Sequence, residues 1–395
     1  MRFHLLSTPN TRTTHQFELD GFCLRTILFA SLLKQLGHTV ILYGVESNDA
    51  PCDEFVSCLS EAERVGFLAG TPYQYATFDG SPAFLTYNTR AALHIRNRKQ
   101  PGDIIATIGG SAQQQVAEHH PELRFLEYSI GYRGIVAPYR VYQSHIWRHV
   151  VHGFQGVEGG RVTDAVIPPW FPIEDFPFTT NPDPYVVFCG RLIQNKGLAV
   201  ACEAAKAAGV PLKVIGHGEA KNVTYGEYLG PVSHQVRNEV LSKAIACLMP
   251  TQYIEPFGNV AAEAQLCGTP IISTEFGAFV ESVEQGRTGY RCGVLGDYVH
   301  AIDLCRDLSR TYVRARAERL YSTHAALKNY ATYFARMDAL ASPEGVHSPA
   351  STLDSDTGHL YGSPQSASRR NRPTETAIGD WHRYQPDDVP AAATA

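Results

Sequence analysis

Residues 255–270 read Glu-Pro-Phe-Gly-Asn-Val-Ala-Ala-Glu-Ala-Gln-Leu-Cys-Gly-Thr-Pro. Two carboxylates, Glu255 and Glu263, stand eight positions apart across a glycine and the start of a helix. Gly258 lets the backbone turn close past a ligand, since no Cβ obstructs it. Asn259 reads as the N-cap. The run after it, beginning with Val260, favours helix up to Gly268, with Pro270 beyond as a stop. The first turn of such a helix presents unpaired N–H groups to an anionic phosphate. Glu263 then lies one turn inside the helix and Glu255 on the loop before it. Two acceptors flanking a phosphate site suit the hydroxyls of a sugar on one side and a ribose on the other. Surface helices often carry a lone pair of Glu at this spacing. The surrounding Pro-Phe257-Gly and Ala-x-x-x-Gly-Thr-Pro make this pair specific.

Outward from this stretch, strand and helix signals alternate. Strand-type runs fall at 185–189, 212–215, 247–249 and 271–273, with helix patterns at 198–208, 236–246 and 260–267. The first half opens the same way. Strands at 2–7 and 39–43 enclose a helix with Leu24, Leu28, Leu32 and Leu36 at four-residue spacing, closed by Gly37. Further strands are expected at 104–108 and 124–128, whereas 48–100 resists assignment and reads as carrying insertions. Pro168, Pro169, Pro172, Pro177, Pro182 and Pro184 mark a linker. Two doubly wound, Rossmann-like α/β domains with an interdomain cleft follow from the pattern. Residues 311–340 read as two helices separated near 321–323. Tyr330, Tyr333, Phe334 and Met337 give the second an apolar face. From Ser342 onward Ser, Pro, Thr, Asp and Gly dominate, the composition of a disordered tail.

A chain of 395 residues suits two domains, and 44% hydrophobic with 18% charged residues is a globular composition. A net charge of −5 argues against nucleic acid as a partner. The nine cysteines are odd in number and scattered without a C-x-x-C, which points to a reducing cytoplasm rather than disulfides or zinc. No signal-peptide core opens the sequence and no stretch approaches the ~20 apolar residues of a membrane span. Peripheral membrane contact and oligomeric state stay open.

After the strand at 185–189 comes Gly190-Arg191-Leu-Ile-Gln-Asn-Lys196-Gly197. Gly190 permits a sharp exit at the strand end, where open α/β sheets bind ligands. Arg191 and Lys196 are placed to converge on a diphosphate, one as a fork and one as a point charge. With the Glu pair, this segment resembles the retaining glycosyltransferases of family 4, which have the GT-B fold. The resemblance covers residues 1–340, most clearly 185–295. It implies an acceptor-side domain over 1–170, a nucleotide-sugar domain over 171–315 and crossover helices over 316–341, before the tail at 342–395. It implies a hexosyl transfer from a UDP- or GDP-sugar to a hydroxyl acceptor (glycan, lipid or small molecule) with retention, of the kind used in polysaccharide biosynthesis. Arg191 and Lys196 would bind the donor phosphates, Glu255 the transferred sugar and Glu263 the ribose. Neither a cofactor nor a metal is implied. Gly230-Pro231-Val232-Ser233 resembles the family segment that edges the base, and Pro250-Thr251 matches as well.

Other signals are weaker. Ile215-Gly216-His217-Gly218 lacks the dinucleotide fingerprint, so its glycines read as cleft wall. In the first domain the loops at 8–18, 109–111 and 127–132 are expected to face the cleft, the last with the Glu127 carboxylate. This half lacks the Gly-Gly pair that many relatives carry in the first loop, and its runs Glu127…Gly131-Tyr132 and Ser144…Trp147…His149 resemble a less-studied branch of the family. His149, ahead of His15, is the first-domain candidate to touch the donor sugar. Asp354-Ser355-Asp356 imitates a metal motif but sits in tail sequence without a strand to aim it. The rival readings are a GT-B-fold epimerase or phosphorylase and a noncatalytic nucleotide-sugar binder; nothing resembles a pyridoxal-phosphate lysine site.

Overall fold

A computed structural model describes residues 1–341, apart from Glu18 and the side chain of Gln74. The expected tail and its Asp354-Ser355-Asp356 lie outside the described residues. The first sheet contains β1 (Arg2–Leu6), β2 (Thr39–Val45), β3 (Glu54–Leu59), β4 (Ile104–Thr107), β5 (Arg124–Ile130), β6 (Tyr139–Tyr142) and β7 (Asp164–Val166). Its order is β3-β2-β1-β4-β5-β6-β7. The second contains β8 (Val186–Cys189), β9 (Leu212–Ile215), β10 (Glu227–Gly230), β11 (Cys247–Met249), β12 (Ile271–Thr274) and β13 (Gly289–Cys292), ordered β10-β9-β8-β11-β12-β13. Every pairing is parallel, so the strands are buried and read as apolar runs.

In each sheet the strand order reverses once, between β1 and β4 and between β8 and β11. At such a switch point neighbouring loops leave in opposite directions and open a crevice at the carboxyl ends of the strands. The loops following β1, β4, β8 and β11 are therefore the ones placed to bind.

Residues 48–100, unreadable in the sequence, hold β3 and two helices, Glu61–Leu68 and Pro82–Arg96. The first is closed by a reciprocal capping box between Ser60 and Glu63. The proline-rich linker is packed rather than free. Trp170 and Phe171 are buried, and the Phe171 N–H donates to the Tyr321 carbonyl at 2.8 Å. The helix Arg310–Tyr321 stays with the second domain, where Ala317, Leu320 and Tyr321 join its core. Only the helix Thr323–Ala341 returns, placing Ala326, Tyr330, Tyr333, Phe334 and Met337 in the first core. The crossover is thus one helix, and the segment expected at 316–341 divides at Ser322.

Phe334 is 3% exposed and its ring lies 5.3 Å from that of Phe3 on β1. Phe334→Ala should destabilise the chain by about 3–5 kcal/mol, read by urea unfolding. An unchanged midpoint would show that the returning helix contributes nothing to the first core.

Candidate functional site

The loops after β8 and β11 are locked together by one close approach. Gly197 has φ +76°, and a Cβ there would lie 1.9 Å from the Pro250 carbonyl oxygen. The Gln252 N–H donates to the Asn195 carbonyl at 2.8 Å, which fixes the same register. Lys196 is thereby brought to Glu255: Nζ lies 2.8 Å from Oε2. Tyr253 shares that oxygen, its hydroxyl donating at 2.8 Å, and its ring lies 4.9 Å from the Lys196 ammonium. Burial, then the Glu255 charge, push the Tyr253 phenol well above its ordinary pKa. It stays a proton donor.

Arg191, at the end of β8, is exposed and has no ion pair among the described residues. It stands free to meet an anion. Gly190 beside it is crowded from the other side, since a Cβ on Gly216 would lie 1.8 Å from the Gly190 carbonyl oxygen. The glycines after β9 therefore permit close packing of two strand-end loops.

Glu255 is held from below as well. Its carbonyl accepts from the Ala278 N–H at 2.9 Å, and a Cβ on Gly277 would lie 2.7 Å from its nitrogen. The chain then turns at Gly258, φ +83° and ψ +71°, into the helix Asn259–Leu266. Gly258 is the N-cap and Asn259 the first helical residue, a correction to the expected cap. The left-handed turn places Phe257 in the core, 5.5 Å ring to ring from Tyr321. Gly258 supplies no side-chain cap, so the helix's first N–H groups keep their capacity for a ligand. Val260 is half-buried against the same core.

Glu263, 4% exposed, lies in that helix and pairs with Arg237 at 2.8 Å through Oε1. Its Oε2 is buried without a hydrogen-bond partner among the described residues, as is Arg237 Nε. Burial works against the Arg237 charge, and the adjacent Glu263 outweighs it, so the guanidinium is held above its ordinary pKa. Both residues line a cavity of about 600 Å³, together with His15, Leu24, Phe171 and His234. Gly230, φ +74°, ends β10, and Val232 follows it half-buried on the approach to the helix His234–Lys243.

Across the seam, Arg25 is buried with its Nη1 donating to the Trp170 carbonyl at 2.8 Å. Its Nε and Nη2 lack partners among the described residues. Burial pushes its pKa down to about 10, opposed by the attraction of Glu263. The helix His145–Phe154 meets the Glu255 loop directly. Ser144 Oγ donates to the Pro256 carbonyl at 2.6 Å, and the N–H groups of His145 and Ile146 donate to the Glu281 carboxylate at 3.0 and 2.5 Å. His149 sits one turn further along, exposed, 3.4 Å from an Arg148 nitrogen, and is not brought to Glu255. Glu127 is also not a cleft group. It is fully buried and accepts from the N–H groups of Val136 and Ala137 and the hydroxyl of Tyr132. Burial raises its pKa in spite of them.

Residues 183–305 match the family model described as glycosyl transferases group 1. Glycogen synthase of Mycobacterium tuberculosis is 29% identical over 153 residues, 34% of this chain and 37% of that protein. The chain thus spans little more than a third of the first curated relatives it matches. The phosphatidyl-myo-inositol mannosyltransferase of the same organism is 22% identical over 70% of this chain and 80% of its own. Among solved structures, a sucrose-phosphate synthase from Thermosynechococcus elongatus superposes with a TM-score of 0.63 at 16% identity, covering 87% of this chain and all of that one. A glycosyltransferase involved in avilamycin A biosynthesis gives 0.60 at 20% identity, covering 85% and 98%.

The fold is GT-B. The family match falls on the second GT-B domain and includes Arg191, Lys196, Glu255 and Glu263. Arg237 and Tyr253, which sequence reasoning passed over, belong to the same cluster; each became visible only through the carboxylate it touches.

Gly197→Ala tests the lock between the two loops. It should lower stability by about 1–3 kcal/mol in urea unfolding while far-UV dichroism is retained. An unchanged unfolding midpoint in this variant would show that the two loops are not interdependent.

Proposed function

We propose that this chain is a retaining glycosyltransferase that moves a hexosyl group from a nucleotide-diphosphate sugar to a hydroxyl acceptor without requiring a metal. The observation that carries the reading is the paired carboxylates at the second switch point, Glu255 beside Lys196 and Glu263 with an orphaned buried oxygen. A nucleotide sugar answers both: its ribose hydroxyl satisfies Glu263 Oε2, and its diphosphate draws Lys196 and Arg191. A related fold, Anabaena HepE (TM-score 0.55, 15% identity, 85% of this chain and 99% of that one), has a structure in complex with UDP and glucose. That likeness supports the donor class proposed here.

In this mechanism the bond from the anomeric carbon to the diphosphate breaks while the acceptor oxygen bonds on the same face. The acceptor proton passes to the departing phosphate oxygen. Arg191, Lys196 and the N–H groups opening the helix Asn259–Leu266 stabilise the growing negative charge, an effect worth several kcal/mol when donors are preorganised. Glu255, held by Tyr253 once Lys196 turns to the phosphate, orients the sugar. His149, exposed on the helix His145–Phe154, is the first-domain group proposed to touch the donor sugar. The nine unpaired cysteines support a cytoplasmic setting. No described helix is long and apolar enough to cross a membrane.

Incubation with UDP- and GDP-sugars, with and without acceptors, separates transfer from mere binding and from epimerisation. Glu263→Ala should weaken donor binding by about 1.5–3 kcal/mol in calorimetry, and Glu255→Ala should mainly lower kcat. Unchanged affinity and turnover in both variants would remove the assignment.

Transfer from an α-linked donor should also persist in excess EDTA and give an α-anomeric proton by NMR. A β-linked product, or activity that disappears in EDTA and returns with Mg²⁺ or Mn²⁺, would overturn retention or metal independence respectively.

A further inference from the structure

A second cavity, about 330 Å³, lies in the first domain between the loop after β1 and the hairpin of helices Glu61–Leu68 and Pro82–Arg96. Asn10 lines it, only 4% exposed, with its Nδ2 buried and without a hydrogen-bond partner among the described residues. A buried amide donor in this state is answered by an oxygen entering the cavity. Phe67 and Tyr75 supply ring faces, 37% and 65% exposed. Asp79 adds an exposed carboxylate, already accepting from Ser111 Oγ at 3.0 Å, and Ser81 contributes a hydroxyl.

The cation in the lining is Arg64, and its charge is taken. Its Nε and Nη2 each lie 2.7 Å from a Glu61 oxygen, and its Nη1 donates to the Asn10 carbonyl at 3.0 Å. Among the described lining residues none offers an uncompensated positive charge, while Asp79 presents a negative one. Ring faces, a neutral amide donor and a carboxylate acceptor together recognise a neutral polyhydroxylated compound. The C–H faces of a sugar pack on the rings, its hydroxyls donate to Asp79, and its oxygens accept from Asn10. A phosphorylated ligand would meet the Asp79 charge with no free cation to offset it.

The loop after β1 serves both cavities: Asn10 lines this one and His15 lines the one beside Glu263. One short segment thus runs from a site for a hydroxyl compound to the cavity beside Glu263, the residue read above as the ribose's. We propose that the Asn10–Tyr75–Asp79 cavity is the acceptor site, and that the acceptor is a neutral saccharide or polyol rather than a phosphorylated one. This rests on the glycosyl-transfer reading and narrows it.

The test measures nucleoside-diphosphate release from UDP- and GDP-glucose and -mannose by the full chain. The acceptors are glucose, mannose, maltose and myo-inositol, each beside its phosphate ester. At least one neutral compound should stimulate release, and its phosphate should do so at least about tenfold less well. Tyr75→Ala and Asp79→Ala should each raise KM for that compound about three- to tenfold, with kcat nearly kept. Tyr75→Phe, which retains the ring, should stay close to the parent. Both residues are exposed, so loss of folding is not expected to obscure the result. Preference for a phosphate ester, release that no neutral compound stimulates, or an unmoved KM in both alanine variants would each overturn the inference while leaving glycosyl transfer standing. No release from any donor would defeat the transfer reading, and this inference with it.

Discussion

The approach of Gly197 to the Pro250 carbonyl leaves no space for a side chain, and the candidate chemistry hangs on that constraint. It presses the loop after β8 onto the loop after β11, across the point where the second sheet reverses its order. Lys196 and Glu255 are 59 residues apart in sequence, yet they meet at 2.8 Å because these backbones touch. Gly277 braces the Glu255 loop from the opposite side, and Gly258 releases it into the helix that carries Glu263. The loops after β8, β11 and β12 and one helix end are thus positioned by backbone contacts.

Electrostatics at the seam follow from the same crowding. Glu263, Arg237 and Arg25 are charged groups taken from water with hydrogen-bonding capacity left over. Such groups are costly when unanswered and strongly directing when answered. The contacts across the seam include polar ones: a serine hydroxyl on the Pro256 carbonyl, and the Glu281 carboxylate on the first N–H groups of the helix His145–Phe154. That carboxylate meets the positive end of a helix dipole, a favourable but modest interaction.

Much of the fold was legible in the sequence because parallel strands are buried on both faces and read as uninterrupted apolar runs. That is how β8, β9, β11 and β12 stood out. The sheet-edge strands β10 and β13 and the late strands β6 and β7 did not. Glu227 is exposed and Tyr228 and Tyr290 are only partly buried, so polar and apolar residues mix there. The cap at Asn259 was misread since residue type favours Asn, whereas the left-handed turn that buries Phe257 needs glycine one position earlier. Local spacing and the family resemblance singled out Glu255, Glu263, Arg191 and Lys196, but not the contact of Lys196 with Glu255, which joins residues 59 apart on two loops. Arg237 was not legible, because its pairing with Glu263 joins two helices. Glu127 showed the reverse: a carboxylate beside a glycine turn looked available, yet the N–H groups of Val136 and Ala137 occupy it.

The single returning helix also sets the order in which the molecule can be finished. Tyr330 packs against Phe29 and Phe334 against Phe3, so the first core closes only with residues near the end of the described chain. As the polypeptide leaves the ribosome, β1 and the helix Gly21–Gln35 appear early but keep an apolar face uncovered. All six strands of the second sheet emerge during that wait. The domain synthesised first is therefore completed last, and its exposed face is what a chaperone would meet on the nascent chain.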